Sequence, residues 1–114
     1  MICDTSVLLH SDANIPITTV QEVMDEVKTR KHRERLEFRE IKVLEPEERL
    51  VRKVEDGAKK AGLGEKLSKT DKKLLALALQ TCDVLLTDDY AIQKLARIMG
   101  IKCKPFQMEG IKAV

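Results

Sequence analysis

Tryptophan is absent from this 114-residue chain, and the only phenyl or phenol side chains are Phe38, Tyr90 and Phe106. That scarcity excludes an aromatic core and leaves little surface for stacking nucleic-acid bases. The core has to be aliphatic, which suits helices packed on a parallel sheet. No two cysteines stand at C-x-x-C spacing, and Cys3, Cys82 and Cys103 are far apart. This argues against a structural zinc site and for reduced, mostly buried thiols in an intracellular protein. No apolar run approaches the ~20 residues of a spanning helix, and no signal-peptide pattern is present. The chain therefore reads as cytoplasmic, with no membrane partner. Excess charge of one sign is also lacking: the formal net charge is +2. Partners must be argued from where the charges fall. His10 and His32 stand alone and read as solvated side chains rather than ligands.

What is present alternates. The length fits a single domain, residues 1–114, with a tail from about 105 to 114. "MIC" reads as a short buried strand ending at Asp4, and "TSVLLHS" opens a helix. "NIPITT" reads as a second strand, with Pro16 at an edge or at the strand's first position. Val20, Val23, Met24 and Val27 then recur at helical spacing. A third strand is expected at about Ile41 to Leu44. Pro46 opens a helix whose apolar face holds Leu50, Val51, Val54, Ala58 and Ala61. After a glycine-bearing loop, "SKTDKKLLALALQT" starts with a capping-box-like S-x-x-D. "DVLLT" is apolar enough for the middle of a parallel sheet, "DYAIQKLARIMG" is a helix closed by Gly100, and "IKCKPF" is a last short strand. Strands alternating with helices predict an α/β fold, three layers deep (α/β/α) around a central parallel sheet.

In such sheets, sites form outside the carboxyl ends of the strands. Asp4 follows the first strand, and Asp88 and Asp89 follow the most apolar one. Asp71 lies in the first turn of the helix feeding that strand, and Glu22 and Glu26 share a helix face after the second. Any one of these aspartates is well explained as a helix cap. Gathered together, the carboxylates repel and raise one another's pKa, which folding alone gives little reason to do. A divalent cation gives one. Oxygen donors without His or Cys suit Mg²⁺ or Mn²⁺, ions that promote in-line displacement at phosphorus.

The segments "CDTSVLL", "ITTVQEVMDEV", "LSKTDKKLLALAL" and "VLLTDDYAIQKLA" occur in the order found in PIN domains, the metal-dependent ribonuclease fold, and the chain resembles that family over nearly its whole length. More narrowly it is similar to the Nob-type endoribonucleases of ribosome assembly, with their T-x-x-E-V-x-x-E-[IV] helix, basic R-x-R-L-E continuation, L-S-x-T-D helix start and T-x-D-[YF]-[AS]-[IM]-Q segment. The resemblance implies catalytic acids at Asp4, Glu26, Asp71 and Asp89, with Asp4, Asp71 and Asp89 holding Mg²⁺ or Mn²⁺ and with Ser68 and Thr87 in support. Glu26 matches the final glutamate of the helix pattern and is preferred to Glu22. Asp88 falls at the variable position, where it can cap the helix or face solvent. The zinc ribbon with two C-x-x-C pairs that usually follows in Nob-type proteins has no counterpart up to Val114, so either a trimmed or a stand-alone form is expected.

Lys28, Arg30, Lys31, Arg33, Arg35 and Arg39 stand against only Glu34 and Glu37. A solvated helix end accounts for this equally well. Beside an acidic metal site, however, it gives an RNA backbone somewhere to lie, by shape and phosphate contact rather than base stacking. The resulting expectation is an endoribonuclease (a hydrolase) that leaves 5′-phosphate and 3′-hydroxyl ends. The expected substrate is precursor small-subunit rRNA, cut at its mature 3′ end. Ribosomal assembly factors are further partners, and a dimer is an open option. Two alternatives stand: a VapC-like toxin ribonuclease, and a non-catalytic PIN domain that binds RNA or the ribosome.

Overall fold

The computed structural model describes residues 1–10, 16–28 and 40–106. β1 (Ile2–Cys3) leads into α1 (Thr5–His10), β2 (Ile17–Thr19) into α2 (Gln21–Lys28), and β3 (Ile41–Val43) into α3 (Glu48–Lys60). Then follow α4 (Lys69–Thr81), β4 (Leu85–Leu86), α5 (Tyr90–Met99) and β5 (Cys103–Lys104). The five strands form one sheet in the order β3-β2-β1-β4-β5, and every pairing is parallel. This is the α/β/α architecture expected from the alternation of elements. Among the described residues no helix is long and apolar enough to cross a membrane.

The strand order explains the sequence patterns. β1 and β4 lie inside the sheet, and their residues Ile2, Cys3, Leu85 and Leu86 are all buried. β3 is an edge strand and is mostly exposed, which matches its alternation of apolar and charged residues. Pro16 precedes β2, which is interior, so it sits at the strand's start and not at an edge. Its missing N–H costs no ladder bond there. Ile41 to Val43 form the strand, yet the N–H of Leu44 still reaches the Thr19 carbonyl at 3.0 Å.

α4 is the central helix. Leu74, Leu75, Ala76, Leu77 and Ala78 are buried in succession, more than one stripe's worth, because α4 packs against α3, α5, β1 and β4. Each buried leucine contributes on the order of 1.5–3 kcal/mol. α3 shows the narrower pattern, burying Val51, Val54 and Ala58. Gly57, inside α3, costs about 1 kcal/mol relative to alanine. It is explained by a close helix approach, since a Cβ there would stand 2.9 Å from the Met99 sulfur on α5. Gly100 ends α5 at φ 72°, as the sequence predicts, and the Ile101 N–H returns to the Ala96 carbonyl at 2.8 Å.

One thiol differs from expectation. Cys3 is buried and Cys103 half-buried, but Cys82 is exposed. It occupies the left-handed position (φ 56°, ψ 27°) that ends α4, where the chain turns outward before Asp83.

Candidate active site

The chain steps outward from β1 to β2 and β3 on one side, then returns to place β4 and β5 on the other. The switch therefore lies between β1 and β4, and the crevice beyond their carboxyl ends is where an α/β sheet accepts a ligand. In register Cys3 pairs with Leu86, so Asp4 and Thr87 emerge side by side.

Asp4 accepts from the Val7 N–H at 2.9 Å through Oδ1, capping α1. Its Oδ2 accepts from the Thr87 hydroxyl. That hydroxyl is fully buried and itself accepts from the Asp89 N–H at 3.1 Å. A continuous hydrogen-bond chain thus runs Asp89 N–H to Thr87 to Asp4, tying the ends of the two central strands together. The amide of Gln93 adds a bond to the Thr87 carbonyl at 2.8 Å.

Asp89 is the N-cap of α5. Its Oδ1 accepts from the N–H groups of Ala91 at 2.8 Å and Ile92 at 3.2 Å. Asp88 does not cap α5; its carboxylate accepts from the Phe106 N–H at 2.7 Å and anchors the chain after β5. This corrects the sequence reading, which offered Asp88 only a cap or solvent. The reason is non-local: the parallel pairing of β4 with β5 brings residue 106 beside the β4 end.

Asp71 belongs to the predicted capping box. Its carboxylate accepts from the Ser68 N–H at 3.0 Å, and the Ser68 hydroxyl accepts from the Asp71 N–H at 3.1 Å. The two glutamates on α2 part company. Glu26 accepts from the Thr5 hydroxyl at 2.6 Å. Glu22 is ion-paired to Lys73, which also holds Glu45 at 3.1 Å. The Lys73 hydrogen bond keeps the Glu22 carboxyl below its ordinary range. Neither Thr5 nor Lys73 stood out in the sequence as more than a helix residue; only the fold brings each to its glutamate.

Burial pushes the Asp4 carboxyl up, against the hydrogen bonds from Thr87 and Val7, and the charges of Asp71 and Asp88 push the same way. Burial also raises Asp71, with Asp89 and Glu26 adding to it and Ser68 opposing. The charges of Asp89 and Glu26 thus add to the rise at Asp71, and those of Asp71 and Asp88 to the rise at Asp4. The donor chemistry fits a hard divalent cation, since every group is an oxygen. The nearby thiol of Cys103, which feels Asp4, is pushed up to about 11 by burial and stays neutral, so it offers no thiolate. As they stand, no three His, Cys, Asp or Glu side chains among the described residues are arranged to hold a metal ion. Of the sequence-predicted RNA contacts, Lys28 ends α2, and Arg30, Lys31, Arg33 and Arg35 lie outside the described residues.

An all-parallel sheet switching between β1 and β4, with carboxylates beyond those strands, defines an α/β domain with an acidic site at its switch point. The chain belongs to the PIN-domain ribonuclease family: the profile described as "PIN domain of ribonuclease" matches residues 1–81. It is 37% identical over 118 residues to Endoribonuclease Nob1 of Pyrococcus abyssi, covering 100% of this chain and 72% of that protein. It is 36% identical over 93 residues to Endoribonuclease Nob1 of Methanocaldococcus jannaschii, covering 80% of this chain and 46% of that one. Ribonuclease VapC1 of Thermoplasma acidophilum is 33% identical over 105 residues, covering 88% of this chain and 54% of its own length. The chain thus spans about half the length of two of these relatives and nearly three quarters of the other.

Proposed function

We propose that the chain is a divalent-cation-dependent endoribonuclease whose catalytic acids are Asp4, Glu26, Asp71 and Asp89. The observation that carries this reading is that Thr87 joins Asp4 to the Asp89 N–H at the carboxyl ends of β1 and β4, and burial together with the neighbouring carboxylates raises Asp4 and Asp71. Asp4, Asp71 and Asp89 would hold Mg²⁺ or Mn²⁺, and such an ion, when bound, supplies Lewis acidity at phosphorus and lowers the proton affinity of water. No three such side chains among the described residues are grouped to hold a metal ion, but Mg²⁺ usually keeps several waters and takes only one or two carboxylates directly.

The chain's own residues do the rest. Thr87 orients Asp4 by donating to one of its oxygens, and Ser68 fixes Asp71 through the capping box. Glu26, which accepts from the Thr5 hydroxyl, would take a proton from the attacking water. Glu22 is neutralised by Lys73, which supports Glu26 as the acid in use. The basic stretch Lys28, Arg30, Lys31, Arg33 and Arg35 would bind RNA phosphates.

The similarity to proteins named Nob1 supports precursor small-subunit rRNA as the substrate, cut at its mature 3′ end, with assembly factors as further partners. A toxin ribonuclease silenced by an antitoxin is the second reading, supported by the similarity to VapC1. The test is incubation with Mn²⁺ and an RNA spanning the small-subunit 3′ end, followed by end mapping. Chelator-sensitive cleavage at one position, leaving 5′-phosphate and 3′-hydroxyl ends, is expected. Cleavage that survives chelation, or that leaves 2′,3′-cyclic phosphates, would overturn the metal-dependent mechanism.

A further inference from the structure

α5 has two unlike faces. Ile92, Leu95 and Ala96 are buried in the core, whereas Tyr90, Lys94 and Arg97 are exposed. These three stand at i, i+4 and i+7, so they share one stripe along the helix. Tyr90 is 75% exposed, although a tyrosine usually keeps much of its ring from water. It is the first residue of α5 and follows Asp89 directly. Among the described residues neither Lys94 nor Arg97 has a carboxylate partner. The stripe therefore begins with an exposed ring directly after Asp89 in the chain and continues with two cations that have no carboxylate partner among the described residues. Its charge complements a polyanion, and its ring complements a polyanion with flat faces to stack.

Resting on the ribonuclease reading above, we propose that Tyr90, Lys94 and Arg97 form a platform for single-stranded RNA. Tyr90 stacks the base of a nucleotide adjoining the scissile phosphate, and Lys94 and Arg97 contact the phosphates that follow. Stacking tolerates any base, because every base has a π-face. Duplex RNA does not fit this role, because its bases are stacked on one another and offer no face to the ring. The platform adds a stacked contact that the scarcity of aromatics in the sequence does not suggest.

The chain has one tyrosine and no tryptophan, so its intrinsic fluorescence reports Tyr90 alone. The experiment titrates the intact protein with oligouridine and with a blunt duplex of equal length, in Mg²⁺ and in the cold, with gels confirming that the RNA stays whole. Anisotropy gives affinity, and absorbance-corrected fluorescence gives the state of the ring. Oligouridine is expected to quench the tyrosine. Tyr90→Ala should weaken oligouridine binding about 5- to 100-fold, and Tyr90→Phe should stay close to wild type. Lys94→Ala and Arg97→Ala should each reduce the salt slope by roughly 0.7. Duplex binding should not depend on Tyr90. If oligouridine binds without quenching and Tyr90→Ala binds as wild type does, or if duplex binding depends equally on Tyr90, the platform is overturned. Wild-type RNA cleavage separates the two ideas: where it persists, the ribonuclease reading stands without the platform. If wild type neither binds nor cleaves any RNA, both fall.

Discussion

The hydroxyl of Thr87, fully buried at the end of β4, donates to the carboxylate of Asp4 at the end of β1. Those strands are neighbours in space but 83 residues apart in sequence at this contact. Thr87→Val keeps the shape and deletes the hydroxyl, so Asp4 loses a donor and the Asp89 N–H loses its acceptor. A loss of about 1–3 kcal/mol is expected. Thr87→Ser keeps the hydroxyl and loses one methyl, at about 1 kcal/mol. Urea melts compare both variants with wild type, and a Thr87→Val variant as stable as wild type would show that the bond contributes nothing.

Asp88 and Asp89 are consecutive but do different work. An asparagine oxygen can still accept from Ala91 and Ile92, so Asp89→Asn should lose less than about 1 kcal/mol. It should nevertheless remove most cleavage, because an amide is a poorer ligand than a carboxylate for a hard cation. Asp88→Asn should keep both the bond to Phe106 and the activity. Asp88→Ala should free the Phe106 amide, read as faster hydrogen exchange there. An inactive Asp88→Asn beside an active Asp89→Asn would reverse the assignment.

Much of this arrangement is legible in the sequence because it is local. The capping box Ser68–Asp71, the Gly100 stop and the fully apolar "VLL" run each follow from a few adjacent residues. Placing Asp4, Asp71 and Asp89 at helix starts required only the boundaries of those elements. What is not legible is non-local. The order β3-β2-β1-β4-β5 decides that β1 and β4 adjoin, and no local pattern encodes it. The same holds for Lys73 neutralising Glu22, for Thr5 holding Glu26 and for Asp88 reaching Phe106. The exposure of Cys82 was missed for another reason. Residue type favoured burial, and the left-handed turn that ends α4 overrode it.

Separating Glu22 from Glu26 needs only two amide variants. Glu22→Gln removes the ion pair but leaves Lys73 with Glu45, so stability should fall by no more than about 1 kcal/mol while cleavage persists. Glu26→Gln should abolish most cleavage with little change in stability, since the amide oxygen still accepts from Thr5. Cleavage rates in saturating Mn²⁺ decide between them; a dead Glu22→Gln would move the acid one helical turn.

Cys82 holds a conformation that costs a residue with a Cβ about 1 kcal/mol. Cys82→Gly should therefore raise stability by up to about 1 kcal/mol, less the extra entropy glycine gives the unfolded chain. Cys82→Ala keeps the Cβ and should gain nothing. If both variants gain equally in thermal melts, the thiol rather than the backbone angle was the cost.

The carboxylates of Asp4 and Asp71 set the last expectation, for the protein in chelator. Both are raised from an ordinary value of 3.8, chiefly by burial. A raised carboxyl is protonated in both folded and unfolded chains at low pH, where it is neutral in its effect. As pH climbs past 3.8 the unfolded chain releases its proton first, so the folded state binds more protons and loses relative stability. The penalty grows until the folded carboxyl also ionises, and it stays in full above that. Glu22 and Asp83 are shifted the opposite way and gain stability over the same rise, so the informative quantity is a difference between variants. Asp4→Asn with Asp71→Asn keeps acceptors for Val7 and Ser68 but carries no charge. The double variant should match wild type most closely near pH 3 and should equal or exceed it at pH 7. Adding Mn²⁺ at pH 7 should raise the wild-type melting temperature and leave the variant where it was, reversing their order. A variant that is much less stable than wild type at pH 7 in chelator would mean that the two charges serve the fold as caps.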